Sequence, residues 1–405
     1  MTGCLTKKRG IISLRRYKSA SDVLFCTGFF IYVVTLIMDL SMWTFAEDGG
    51  GNSTASAMKL IRYLAYAIMA VKIVYDFSVE YKNFKYLTVF AGVAGLALLT
   101  SKNTMIVFYF LVILAARGVS ARMIISTALQ AQGLTLSIAV LFSQIGLLVD
   151  YITDRSGRIR HFMGFQWATT SALIFLYMVF EYIYLKKGRI NIPEFAIINI
   201  FSYYLYIMTD SRMSFLLVLA STLFFLAFGG VISKKRKPSF RRLFTWIIIA
   251  MPWIVAAASI YLHKIFIKGG SLDKLNVLLS NRLNYGHQAI DNYGISLLGK
   301  KMVWIGYGLN DTGKGTYNYV DCSYLRIAIE YGLIFLAMIL FIYSLVICKA
   351  YKNGRKDLVW ITLFILLISV TESRLFNFAF NPFMLLAFSS LRKFEVTRKA
   401  QGSEV

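Results

Sequence analysis

Six arginines stand out beside or between long apolar runs: Arg155, Arg158, Arg160, Arg212 and Arg374 in short segments, and Arg282 in one long loop. A guanidinium is planar, keeps its charge beside a membrane and forks onto two oxygens of one phosphate. Several of them converging would suit a pyrophosphate head group, although a basic cluster at a bilayer surface could equally hold an anionic lipid. His287 stands five residues beyond Arg282, and histidine in general exchanges protons near neutral pH, so it is the candidate general base. Asp210, Asp291 and Glu372 compete for that role. Asp210 lies two residues from Arg212 and Glu372 two from Arg374, spacings that also suit structural counter-ions. On one straight helix Arg282 and His287 point about 140° apart, so a break near Tyr285-Gly286 is needed to aim both at one ligand. Asp311 and Asp321 read as ordinary loop acids. No metal is expected: His161, His263 and His287 are scattered, and no DxD-type carboxylate pair occurs.

The elements that position these residues are set by composition. Of 405 residues 58% are hydrophobic and 16% charged, against about a quarter charged in soluble domains. That excludes a soluble enzyme, a nucleic-acid binder and a secreted disulfide scaffold, and Cys4, Cys26, Cys322 and Cys348 show no CxxC or metal spacing. Apolar runs of bilayer length predict about 12 spans: 22–44, 57–76, 86–101, 103–117, 122–150, 165–184, 192–209, 213–232, 243–264, 325–347, 357–373 and 376–391. Each should be helical, because backbone polar groups in lipid must be satisfied locally. The expected architecture is therefore an all-α polytopic membrane protein. It has a basic N-terminus (1–21), nine spans (22–264), one long loop (265–324), three spans (325–391) and a tail (392–405). Within the loop, apolar residues at 272, 275, 279, 283 and 290 predict an amphipathic helix. The first run lacks a small-residue cleavage site and reads as a retained anchor.

The net charge of +24 sorts by side. With the N-terminus inside, inner segments hold 27 Lys and Arg and outer segments 12, which places both termini in the cytoplasm and the arginines outside. Within spans, Arg62 and Lys72 are the main cations, and Lys72 is expected to snorkel inward. Trp43, Trp167, Tyr203, Tyr204, Trp304 and Tyr307 near outer span ends suit an interfacial belt, with sugar stacking as the functional alternative.

Five short stretches resemble the repeat-unit polysaccharide polymerases of the Wzy type, in the O-antigen ligase superfamily. Arg158-Ile159-Arg160-His161-Phe162-Met163-Gly164-Phe165 is similar to their "R…R…GF" loop, and Thr209-Asp210-Ser211-Arg212 to their "SR" junction. Asn281-Arg282-Leu283 with Tyr293–Gly299 resembles their large external loop, and Asp321–Leu325 with Glu330–Ile334 its return to the membrane. Glu372-Ser373-Arg374 before Asn381-Pro382 is similar to their last external turn. One departure is Gln166-Trp167-Ala168, where relatives commonly carry a His or a Pro-Asn.

The resemblance implies a GT-C-like glycosyltransferase in a bacterial cytoplasmic membrane. Such an enzyme moves a growing glycan from undecaprenyl pyrophosphate to an incoming lipid-linked unit. It implies Arg160, Arg212 and Arg282 at the leaving phosphates, with Arg158, Arg374, Asp210, Tyr324 and Glu372 as further substrate contacts and His287 as base. It implies no cofactor and no nucleic acid. The expected partners are the undecaprenyl-pyrophosphate-linked oligosaccharide, membrane lipids, and a flippase and chain-length regulator of the same pathway. A flippase or other transporter of lipid-linked oligosaccharide is the alternative. So is a glycan ligase using the same chemistry.

Overall fold

The computed structural model describes residues 2–45, 53–77, 85–154, 157–232, 242–309 and 315–390. The first half comprises α1 (Thr2–Met38), α2 (Ser53–Phe77), α3 (Lys85–Ser101), α4 (Met105–Ala116) and α5 (Ala121–Gln144). A hairpin of β1 (Ile152–Asp154) and β2 (Ile159–His161) follows, then α6 (Thr170–Leu185), α7 (Ile192–Thr209), α8 (Arg212–Ile232) and α9 (Arg242–Lys264). The last part holds α10 (Asp273–Leu278), α11 (Arg282–Tyr293), α12 (Ser323–Glu330), α13 (Leu333–Lys352) and α14 (Lys356–Ile368).

Six of these helices are long and apolar enough to cross a membrane: Ala20–Met38, Ala121–Gln144, Ile192–Thr209, Arg212–Gly230, Thr245–Lys264 and Leu333–Lys352. The chain is a helical membrane protein. α3, α4 and α6 are apolar but shorter. Half of the twelve expected spans therefore reach full length as apolar helices, and the departures have local causes. The 325–347 run is split into α12 and α13 at Tyr331-Gly332. There Gly332 has φ of 90°, and a Cβ on it would lie 2.3 Å from the Leu297 carbonyl oxygen. The 297–299 loop crosses backbone to backbone at that break, which a side chain would prevent. The 376–391 run is no α-helix: it packs inside the bundle as irregular chain with a 3-10 turn at Pro382–Ala387. Pro382 lacks an N–H and steers Asn381 out of the helical region.

Other expectations shift in register. The amphipathic helix of the long loop is two helices, α10 and α11, parted at Ser280 and Asn281, whose φ angles are 57° and 65°. The β1–β2 hairpin is an unforeseen antiparallel pair, Thr153 opposite Arg160. Lys72 does not snorkel: it is fully buried, pairs with Asp76 and donates to the Arg117 carbonyl at 2.8 Å. Arg62 is likewise held by Asp39.

Two features aim the site. α7 starts at Asn191, whose side chain and that of Glu194 cap each other's backbone N–H groups, and ends at Asp210 in the left-handed region. That sharp stop sends α8 back from Arg212. The core, meanwhile, gathers α5, α6, α13, α14 and the irregular 375–387 stretch, so the turn that precedes this stretch, Glu372–Arg374, is fixed to the bundle.

Candidate active site at the loop face

Arg155 lies outside the described residues, and the other five arginines fall into two groups. At the hairpin, Arg160 Nε donates to the Thr209 carbonyl at 2.9 Å, tying β2 to the end of α7. Asp210 Oδ1 takes Arg158 Nη1 and Arg212 Nε, each at 3.3 Å. The two guanidinium groups are about half exposed, at 52% and 44%, and such surface pairs contribute only about 0–1 kcal/mol each. Asp150 steadies the hairpin by accepting from the Met163 N–H at 2.7 Å and pairing with His161 at 2.6 Å.

The second group lines a small cleft that opens to solvent among the start of α6, the start of α11, residues 319–321 and the 372–374 turn. Arg282, the first residue of α11, faces into it. Its Nε reaches Asp321 Oδ2 at 3.1 Å and its Nη2 reaches Glu372 Oε1 at 3.0 Å. Burial works against the Arg282 charge, yet the two carboxylates, Glu372 first, hold its proton affinity above the ordinary arginine range. The fork thus clamps two carboxylates from segments 39 and 90 residues away.

Arg374 lies in the same cleft with its guanidinium 4.5 Å from the Phe380 ring centroid. Among the described residues it makes no side-chain hydrogen bond or ion pair. Arg326 supports the wall from behind. It stacks at 4.5 Å on Tyr319 and 5.3 Å on Trp304, donates to Ser373 Oγ at 3.3 Å and lies 3.8 Å from Glu330. Tyr319 completes the wall through its hydroxyl contact with Ser373 at 2.9 Å. Trp167 lies flat on the backbone of Gly306 and Gly308, where a Cβ would come within 2.2 and 2.3 Å of the indole.

Of the residues singled out from sequence, Arg282, Glu372 and Arg374 are brought together. Arg158, Arg160, Arg212 and Asp210 form the separate hairpin group. His287 joins neither. α11 runs unbroken through Tyr285-Gly286, so Arg282 and His287 keep opposite aims. His287 Nδ1–H donates to the His263 carbonyl at 3.0 Å, while Nε2 lies 3.3 Å from Asp291. The expected break is unnecessary because Gly286 serves packing instead: a Cβ there would lie 2.0 Å from His263 Cδ2. Tyr324 is wholly buried, donates to the Leu366 carbonyl at 2.8 Å and does not line the cleft. Asp321, Arg326 and Tyr319 enter the site unannounced. Asp321 resembles any loop acid, and Arg326 sits at the head of an apolar run where a span edge is the simplest reading.

Among the described residues no group of three or more His, Cys, Asp or Glu side chains could hold a metal ion. The cleft offers one cation with no hydrogen-bonded acid among the described residues, two carboxylates and an aromatic wall. No protein-family model, no curated protein and no solved structure matches the chain.

Proposed function

We propose that this chain polymerises lipid-linked oligosaccharide repeat units at the outer face of a bacterial cytoplasmic membrane. It would transfer the growing glycan from undecaprenyl pyrophosphate to the incoming unit. The observation that carries the reading is the uncommitted Arg374 in a cleft shared with Asp321 and Glu372. The short motifs from Arg158 to Asn381 support it through their resemblance to repeat-unit polymerases, and the Lys and Arg bias supports the orientation. In this reading the short helices and the 375–390 stretch complete a GT-C-like bundle of about 12 crossings.

The chemistry is a substitution at an anomeric carbon. The acceptor hydroxyl oxygen bonds to that carbon, the bond to the pyrophosphate oxygen breaks, and its electron pair leaves on the phosphate. Arg374 meets the departing charge, and a preformed cation in a partly dry cleft does so without reorganising. The hydroxyl proton passes to a carboxylate. Asp321, 22% exposed against 12% for Glu372, is the better placed, and the remoteness of His287 moves the base role to it. Arg282 holds the acids in place, and the hairpin arginines suit the lipid phosphates near the surface.

The test is a strain lacking this protein in its own glycan pathway, with lipid-linked intermediates extracted and assigned to a leaflet. Single repeats on the outer leaflet with no long polymer are the expected result. Single repeats trapped on the inner leaflet would overturn it in favour of a flippase, and long lipid-linked polymer left unattached would make the protein a ligase.

A further inference from the structure

Away from the cleft, α6 carries a second polar feature. Leu173, which lines the cleft, Tyr177 and Glu181 recur every four residues and so share one face of the helix. Glu181 is fully buried. Its Oε1 accepts from Gln132 Nε2 on α5 at 3.0 Å, and its Oε2 has no partner. Gln132 is also fully buried. Its amide N–H₂ is shared with the carbonyls of Ala379 at 2.9 Å and Phe380 at 3.1 Å, while its own Oε1 is unpartnered. The next residue, Asn381, has an unpartnered Oδ1, and so does the Tyr177 hydroxyl one turn along α6. Among the described residues no Lys, Arg or His pairs with Glu181.

The imbalance is one of oxygens over donors. Glu181 Oε1 and the Ala379 and Phe380 carbonyls share the two N–H groups of the Gln132 amide, which leaves Glu181 Oε2 and Gln132 Oε1 with no donor. Among the described residues no donor reaches those two oxygens, and stranded buried polar groups are costly. Carboxylate, amide oxygen and main-chain carbonyl are the ligand types of a hard cation. The carbonyls come from the unwound stretch before Pro382, inside the bundle. Irregular backbone at membrane depth is tolerated where protein buries it or a cavity is lined by it, and unwound carbonyls are what membrane carriers turn toward Na⁺.

We propose that Glu181, Gln132 and the 379–381 backbone form a Na⁺ site. One carboxylate matches one positive charge, whereas a divalent ion would leave a net charge in low dielectric. Tyr177 stands one turn of α6 from Glu181 and one from the cleft residue Leu173, within electrostatic reach of Glu372 and Arg374. The bound ion pins the unwound stretch to α5 and α6. Because Arg374 opens that stretch, Na⁺ also fixes the cleft's free cation. This inference stands apart from the polymerase reading.

The test uses the full chain in detergent, moved into choline chloride and titrated with NaCl or KCl at constant ionic strength. Thermal unfolding and bound ²²Na⁺ are the two readouts. The wild type should melt a few degrees higher as NaCl rises, with saturation and one ²²Na⁺ per chain, and KCl should do much less. Glu181→Gln should lose both responses while melting in choline no lower than the wild type. Glu181→Asp should keep them at several-fold higher NaCl. A wild type that binds no stoichiometric ²²Na⁺ overturns the site, whether or not the variants fold. So does a Na⁺ response equal in wild type and Glu181→Gln, which places the ion elsewhere. An infrared carboxylic-acid band lost in Glu181→Gln, with no Na⁺ response, also overturns it by showing a proton in the pocket.

Discussion

Replacing Arg282 with methionine keeps much of the side-chain length and removes the charge between Asp321 and Glu372. The three side chains are 18%, 22% and 12% exposed, so solvent compensates little. Breaking a largely buried pair by removing one partner costs about 3–5 kcal/mol, because the stranded charge remains. Here two carboxylates are stranded in one cleft, and protonation of one of them caps the loss near that range. Arg282→Lys keeps a charge but offers a point donor in place of a fork. It can serve one acid well, so the expected loss is about 1.5–3 kcal/mol, the worth of one charged hydrogen bond. The assay is thermal unfolding of purified protein in detergent, ranking wild type above Arg282→Lys above Arg282→Met. The decisive variant is the triple Arg282→Met, Asp321→Asn, Glu372→Gln, which removes the stranded charges and should recover most of the loss, to within about 1–2 kcal/mol of wild type. If Arg282→Met melts with the wild type, the clamp does not hold the site. If the triple is as unstable as Arg282→Met, the loss is one of packing and the electrostatic reasoning fails.

Arg374→Gln should lower the melting point only slightly, since Arg374 acts on Glu372 through space without a hydrogen bond, and lower the polymerisation rate about 10–100-fold for a lost charge-assisted contact of 1.5–3 kcal/mol; in vitro polymer formation from lipid-linked repeats checks it. His287→Ala should keep polymer synthesis within about tenfold of wild type, because a general base is worth roughly 10²–10⁴, and a loss of that size in the same assay would restore it as base. Gly286→Ala should destabilise by about 1–3 kcal/mol as its Cβ is driven into His263, read as a lower melting point and reduced yield of folded protein.

What the sequence reveals depends on how local the physics is. The span 192–209 coincides with α7 because Asn191, Pro193 and Glu194 are a complete start signal, and Asp210 one residue past the end adopts the left-handed turn. The run 376–391 has the hydropathy of a helix, yet its backbone is satisfied from elsewhere. Gln132 serves the 379 and 380 carbonyls, and the Tyr343 hydroxyl donates to the Leu375 carbonyl at 2.9 Å. Partners so distant in sequence are invisible to a window of twenty residues. The same distance hides the site: the arginines stand out by type, but Asp321 becomes part of it only through a contact made across 39 residues.

That contact changes which arginine should bind an anion. Reading each guanidinium as a phosphate fork assumes the fork is vacant. At the cleft, Arg282 already spans Asp321 and Glu372, and Arg326 is stacked on two rings and drawn to Glu330. Three arginines against three carboxylates leave the resting site close to neutral, so a pyrophosphate is not drawn in by a large local excess of charge. It can be held only where a cation's donors remain uncommitted, or where it displaces a carboxylate from one that is bound. Displacing Asp321 or Glu372 from Arg282 would strand a largely buried acid, at a cost of several kcal/mol. Arg374, whose guanidinium lies on the face of Phe380 and reaches Glu372 only through space, carries less of that cost. Under the proposed function phosphate recognition would therefore fall to Arg374 first, and Arg282 would act as a positioning residue whose loss is felt in stability before it is felt in binding.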